Sequence, residues 1–144
     1  MKYARLLASV LLIALTSCEE PESLEAIAGV EGMIQFLGEM PDSIKAVALV
    51  ILEPEALNDQ ENIGKYLVNY SDPIVQSGQY FIQLKPGPYM GVLVGLLIDP
   101  GLFVVNIDSY LESSDIPLVQ ITQNPVGLFI QEGKTSIRDW EAPF

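Results

Sequence analysis

Residues 78–94 read GQYFIQLKPGPYMGVLV, which is two apolar runs on either side of the pair Pro86-Gly87. In the first run Tyr80, Ile82 and Leu84 alternate with mostly polar neighbours, as in a strand that has one buried face. Proline presets the φ angle of a turn and glycine accepts a positive φ, so this pair favours a tight reversal. The stretch therefore predicts two strands around a turn.

Strand patterns continue on both sides of this unit. Residues 30–37 alternate between apolar and polar side chains, which predicts a strand with one wet face. Residues 44–52 are apolar at almost every position, which predicts an interior strand buried on both faces, and Pro54 ends it. Residues 55–62 are more polar and predict a loop or one helical turn. Residues 91–98 are apolar but too few to span a membrane, so they predict a core strand.

Further short strands are predicted at residues 66–70, 102–107, 118–122, 126–131 and 135–138. The turn residues between them recur at the short spacing that is typical of a sandwich or a barrel. We therefore expect an all-β domain over residues 30–144, an antiparallel β-sandwich of about seven to nine short strands. Its predicted core contains Ile34, Phe36, Val47, Leu49, Tyr80, Ile82, Leu84, Val92 and Val94.

Charge and composition exclude several classes of function. The 144-residue chain has 19 acidic and 7 basic side chains and a net charge of -12, which repels a nucleic-acid backbone. It has no histidine, which removes the commonest general base and metal ligand. A glycosidase-type carboxylate pair would need a cleft, for which so small a sandwich has little room. We expect one domain with no nucleic-acid partner, no cofactor and no catalytic residue.

The first 17 residues have the pattern of a secretory signal peptide. Lys2 and Arg5 precede an apolar run over residues 6–15, which is far shorter than the roughly 20 residues of a membrane-spanning helix. The next segment, Leu15-Thr16-Ser17-Cys18, resembles the lipobox of bacterial lipoproteins. That resemblance implies removal of residues 1–17 and attachment to the membrane through acyl chains on Cys18. An incidental thiol behind an ordinary signal peptide is the alternative.

Residues 18–29 are rich in glutamate and contain Pro21, which predicts an extended acidic tether. An acidic patch directly after a lipidated cysteine is similar to the surface-export tags of Bacteroidetes-type lipoproteins, and the lack of aspartate beside Cys18 fits outer-membrane sorting. A solvated spacer is the alternative. We expect the bacterial outer membrane, on either face. Asp42-Ser43-Ile44 also matches the short O-glycosylation pattern of such envelopes, at Ser43.

The pattern Gly-x-Tyr-x-Ile-x-Leu-x-Pro-Gly-x-Tyr in residues 78–89 resembles the central hairpin of carboxypeptidase-regulatory-like, collagen-adhesin B-type and transthyretin-like domains. An opening strand near residues 30–36 and a closing strand near 130–135 are also similar, whereas residues 99–125 depart from the pattern. The resemblance implies a prealbumin-like or immunoglobulin-like sandwich that serves as a structural, spacer or binding module. It implies no catalytic residue.

Acidic side chains offer one candidate site. Asp108, Glu112 and Asp115 lie within eight residues of each other, and oxygen ligands of this kind bind calcium. Their spacing differs from that of the twelve-residue calcium loop, so a solvated acidic loop is the simpler interpretation.

Aromatic side chains offer a second candidate, a flat platform for a glycan or a peptide. The candidates for it are Tyr66, Tyr70, Tyr110 and Trp140. Tyr80 and Tyr89 are instead predicted as core or corner residues. Trp140 lies near the end of the chain, where we expect it to pack on the sandwich with Phe144, and contact with a partner is the alternative.

These patterns predict a non-catalytic cell-envelope lipoprotein. Its monomeric sandwich domain would serve as a structural or binding module for an unknown protein or glycan partner, with the membrane contacted through Cys18. The alternative is an accessory subunit of a surface enzyme or of an outer-membrane transporter complex.

Overall fold

The computed structural model describes residues 27–113 and 116–144. The predicted signal peptide, Cys18 and most of the predicted tether lie outside these residues. The domain's hydrogen bonds begin with the first described residue, because the Ile27 carbonyl accepts a bond from Thr135 Oγ1 at 2.9 Å. The chain from residue 27 onwards thus already belongs to the folded domain.

The described residues include nine strands and four short helices. The strands are β1 (Gly29–Leu37), β2 (Ala46–Leu52), β3 (Leu67–Tyr70), β4 (Gly78–Gln83), β5 (Gly87–Leu96), β6 (Leu118–Gln120), β7 (Val126–Ile130), β8 (Thr135–Ile137) and β9 (Trp140–Pro143). The helices are the 3-10 helices η1 (Pro54–Asn58) and η2 (Gln60–Tyr66) and the α-helices α1 (Pro100–Val105) and α2 (Ile107–Glu112). Within these described stretches, no helix is both long enough and apolar enough to cross a membrane.

The strands form two sheets, one of four strands and one of five. In the first sheet β1 pairs with β4 along one edge, and with β8 and then β9 along the other. In the second sheet the order is β3-β2-β5. The other edge of β5 pairs with β7 along the first half of β5 and with β6 along its last residues. Each long central strand therefore carries two short partners end to end. The predicted sandwich-like β fold is confirmed in outline, but the described residues also include four short helices, so the domain is mostly β rather than all-β.

Pairing within the first sheet departs from the prediction of an antiparallel sandwich. β1 runs parallel to β8, with Val30 opposite Ser136, and parallel to β9, with Ile34 opposite Trp140. β1 is antiparallel only to β4. The carboxyl end of the chain thus returns alongside its first strand, and no local turn signal specifies such a long-range contact.

The stretch at residues 78–94 forms the two predicted strands but not a hairpin. β4 pairs with β1 in the four-stranded sheet, whereas β5 pairs with β2 in the five-stranded sheet, so the chain crosses between the sheets at residues 84–86. Gly87 takes a φ of 148°, and the Tyr89 hydroxyl donates to the Lys85 carbonyl at 2.9 Å across the corner. The predicted turn residues therefore build a corner between two sheets, with Tyr89 in the predicted corner role.

The strand predicted at residues 102–107 is wrong, because these residues form the end of α1, the link at Asn106 and the start of α2. The Asp99 carboxylate accepts bonds from the backbone amides of Gly101 at 2.9 Å and Leu102 at 3.3 Å, and Pro100 occupies the first turn. A carboxylate at the N-cap and a proline just inside it are strong helix-start features. The predicted closing strand near residues 130–135 is also wrong, because β7 ends at Ile130 and a turn precedes β8.

Side chains from both sheets form one core between them. It includes Val30 and Ile34 of β1, Leu49 of β2, Leu93 of β5 and Trp140 of β9. Eight of the nine predicted core residues are buried; the exception, Phe36, is half-buried and packs edge-on against Phe144 with ring centroids 5.2 Å apart. Val92 and Val94 are buried on the other face of the five-stranded sheet, in a separate cluster.

Trp140 lies deep in the core between the sheets, as its predicted packing requires. Its indole Nε1 donates to the Tyr80 hydroxyl at 3.0 Å, and that hydroxyl donates to the Arg138 carbonyl at 2.5 Å. The Arg138 guanidinium lies 5.8 Å from the centre of the indole ring. The ring also packs against the backbone of Gly91, where a methyl group would approach within 2.7 Å of the indole. Burial raises the pKa of Tyr80 to about 12.

Candidate binding cavity

The five-stranded sheet is apolar on its outer face as well as on the face toward the core. Along β2 the buried residues Ala48 and Leu52 belong to the cluster outside the core between the sheets, and along β5 Val92 and Val94 join them. Successive residues of a strand point to opposite faces, so a strand that is apolar throughout leaves a second apolar surface to be covered.

Short helical segments cover this outer face. η1 and η2 follow β2, while α1 and α2 follow β5. Phe103 of α1 is buried, and its ring stacks on that of Tyr110 of α2 with centroids 5.8 Å apart and planes 15° apart. η2 and α2 approach each other closely, because a side chain at Gly64 would lie 3.0 Å from the Leu111 carbonyl.

A cavity of about 750 Å³ lies between the sheet and this helical cover. Its size is within the roughly 300–1,000 Å³ typical of small-molecule sites. The wall from the sheet is aliphatic, and the wall from the cover adds further apolar side chains, which include Phe103, Ile107, Leu111 and Ile116.

All charged and amide side chains that line the cavity are exposed to solvent. These exposed lining residues are Gln60, Glu61, Asn62, Lys65, Glu112 and Gln120. Among the described residues Ser71 is the buried polar one, and it accepts a bond from the Leu49 amide at 2.9 Å outside the cavity. The inner wall therefore offers a ligand apolar contact, and the polar groups form a rim.

The four aromatic candidates do not form one platform. Tyr70 and Tyr110 both line the cavity. Tyr66 is half-buried beside it and donates to Asp59 Oδ2 at 3.1 Å, a bond that raises the pKa of Tyr66. Trp140 is 5% exposed and lies in the core between the sheets, away from the cavity.

The remaining candidate residues lie apart from the inner wall. Asp108 and Glu112 are exposed on α2, and Asp115 lies outside the described residues, so the calcium hypothesis stays a prediction. Among residues 27–113 and 116–144 no three metal-ligating side chains are grouped closely enough to hold an ion. Ser43 is exposed in a turn before β2, and its glycosylation also stays a prediction.

The cavity is not among the sequence predictions, although one feature of the sequence indicates it. Residues 46–52 and 91–96 are apolar on both faces, which requires a second covering layer beside the opposing sheet. The cover comes from the residues between 54 and 66 and between 100 and 112, which were predicted as a loop or helical turn and as a strand.

No protein-family model matches this chain, and no curated protein shows significant similarity to it.

Proposed function

We propose that this protein is a non-catalytic lipoprotein of the bacterial outer membrane whose sandwich domain is a binding module. The observation that supports the binding role is the cavity of about 750 Å³ on the outer face of the five-stranded sheet. Its wall from β2 and β5 consists of aliphatic side chains, which neither donate nor accept protons, and this suits binding rather than proton transfer.

Membrane attachment rests on Cys18 and the segment before it. Removal of residues 1–17 takes away Lys2 and Arg5 and leaves 5 basic against 19 acidic side chains, a net charge of -14. Anionic lipid headgroups repel such a chain, so its membrane affinity requires the acyl chains. Two or more acyl chains give stable attachment, whereas a single chain is marginal.

A prealbumin-like relationship is the finer proposal for the fold. It is supported by the glycine, tyrosine and proline-glycine pattern of residues 78–89 and by the corner at which Tyr89 bonds to Lys85.

Metabolic labelling with a fatty acid tests the lipoprotein proposal. We expect the wild-type chain to incorporate the label and Cys18→Ala to lose it and to be retained as precursor or released from the membrane. Ser17→Ala is the matched control, since it keeps a small residue before the cysteine and should retain the label. Labelled Cys18→Ala would refute the proposal.

An accessory subunit of a surface complex is the second candidate function. It is favoured by the outer face of the four-stranded sheet, where Phe81 and Ile137 are 48% and 77% exposed. They lie on the two strands beside β1, one on each side of Glu31. Large exposed apolar side chains on one face of a sheet, here with one carboxylate between them, are typical of protein contacts. Gentle detergent extraction should recover one stoichiometric enzyme or transporter partner, and Phe81→Thr with Ile137→Thr should release it. Recovery of the chain alone argues against this function.

A further inference from the structure

We propose that the cavity binds the hydrocarbon chain of a single-chain amphiphile, such as a monoacylglycerol, with the polar end at the rim. This inference rests on the binding role proposed above, but it does not depend on lipidation of Cys18. It is carried by the chemistry of the wall, the size of the cavity and the surface beside it.

The wall selects against sugars and peptides. A glycan or peptide backbone that entered the cavity would lose its hydrogen bonds to water, and the aliphatic wall from β2 and β5 provides no replacements. An alkyl chain loses no hydrogen bonds on entry, and each buried methylene adds to its affinity. The chemistry of the wall thus favours a hydrocarbon ligand over the glycan considered from the sequence.

The rim selects the polar end of the ligand. It carries Glu61 and Glu112 beside Lys65, on a protein whose net charge is -12. A carboxylate or phosphate at this position would meet net repulsion, whereas a neutral glycerol headgroup would meet amide and carboxylate hydrogen-bond partners. A neutral single-chain amphiphile therefore fits both parts of the site.

The surface of α1 supports entry from an apolar phase. Leu102, Val104 and Val105 are 59%, 42% and 82% exposed on this helix, which also supplies Phe103 to the cavity wall. α1 and α2 each have six residues, and helices this short depend on tertiary packing for their stability. Short, partly exposed elements of this kind are the ones that open locally in proteins.

A chain-length series of monoacylglycerols tests the proposal. The full chain carrying Cys18→Ala, which has no acyl group on residue 18, is titrated below the micelle concentration by displacement of a fluorescent fatty alcohol. We expect affinity to rise about fourfold per methylene, which corresponds to ~0.8 kcal/mol, until the cavity is filled and the increase stops. The absence of saturable binding at every length overturns the proposal. An affinity that is independent of length also overturns it, because it would show that the headgroup is bound and the hydrocarbon chain is not.

Two matched variants place the binding in the cavity. Val50 lines the cavity and is half-buried, so Val50→Phe should occupy part of it, move the plateau to a shorter chain and weaken the longest ligand at least tenfold. Val68 lies on the neighbouring strand, is 40% exposed and does not line the cavity, so Val68→Phe should change affinity less than twofold. Equal effects of the two variants overturn the proposal. If Val50→Phe does not fold, the plateau of affinity against alkyl-chain length in the Cys18→Ala protein still tests the proposal.

A further experiment with lipid vesicles identifies the source of the hydrocarbon ligand. Vesicles that contain the same monoacylglycerol are mixed with the protein and removed by sedimentation, and ligand left in solution with the protein is measured. Transfer from vesicles identifies the membrane as the source, and uptake only from free monomer identifies a soluble source; either result supports the site, and uptake from neither overturns it. Labelling of Cys18 is unaffected by this outcome, so the two proposals fail separately.

Discussion

Gly91→Ala should destabilise the domain because the added methyl group would collide with the Trp140 ring. A Cβ at this position lies 2.7 Å from Cη2 and 2.8 Å from Cζ2 of the indole, and 3.2 Å from a Leu128 methyl. Ordinary contacts of a Cβ atom begin at 3.4 Å, so the ring must retreat by more than half an ångström. Its Nε1 bond to Tyr80 and its 5% exposure leave it little freedom to do so.

The expected cost is about 1 to 3 kcal/mol, which is the usual range for overpacking a well-filled core. Urea titration followed by tryptophan fluorescence measures it, and a loss of this size moves the midpoint by on the order of 1 M. Gly127→Ala is the matched control, because Gly127 lies on the paired strand β7 and its Cβ would meet nothing within 4 Å. That control should be neutral or slightly stabilising.

A double-mutant cycle with Trp140→Phe isolates the contact. Phenylalanine lacks the outer part of the indole that the new methyl group would touch, so Gly91→Ala should cost less in the Trp140→Phe background, by about 0.5 kcal/mol or more. Unfolding in the Trp140→Phe background is followed by circular dichroism, because the substitution removes the one tryptophan of the chain. Equal costs of Gly91→Ala in both backgrounds would contradict the reasoning. So would an unchanged midpoint for Gly91→Ala alone.

Three further predictions concern the core, the pH dependence and the helical cover. Ile82 is 2% exposed in the core between the sheets, so Ile82→Ala should lower the free energy of unfolding by about 2 to 5 kcal/mol in urea titrations, and a loss below 1 kcal/mol would contradict its placement. Burial raises the pKa of Tyr80 to about 12 in the folded state from its ordinary value of 10.0, so the unfolded chain loses this proton at lower pH than the folded chain. The contribution of this proton to the free energy of unfolding is complete below pH 10 and decreases as the pH rises toward 12. The free energy of unfolding of Tyr80→Phe should therefore decrease less over that range than that of the wild type, and equal decreases would argue against the raised pKa. Asp99→Ala removes the cap of α1 and should cost about 0.5 to 2 kcal/mol, with faster amide exchange at Gly101 and Leu102 and no change in the β1 amides.

The sequence predicts that several residues lining the cavity are buried, but it does not predict that they come together around a cavity. Val92 and Val94 were expected in the core, and they are buried, but on the face opposite to the core between the sheets. Period-two alternation assigns residues to two sets and does not say which set faces which layer. The helical cover was missed because the apolar run of residues 102–107 fits a strand and a helix equally well by periodicity, although Asp99 and Pro100 provided a helix start.

Local chemistry in the sequence was sufficient for the strands β1, β2, β4 and β5, for a break between β4 and β5 at Pro86-Gly87, and for a β-rich fold in a chain without histidine. Alternation, β-branched composition and turn residues act over a few positions, and so they can be read without knowledge of the partner. Only the tertiary structure decided that β4 and β5 belong to different sheets, that the chain end pairs parallel to β1, and that Gly91 accommodates Trp140. Each of these is a contact between distant segments, chosen by burial of the whole apolar surface, and the cavity exists because two covering segments meet over a sheet that is apolar on both faces.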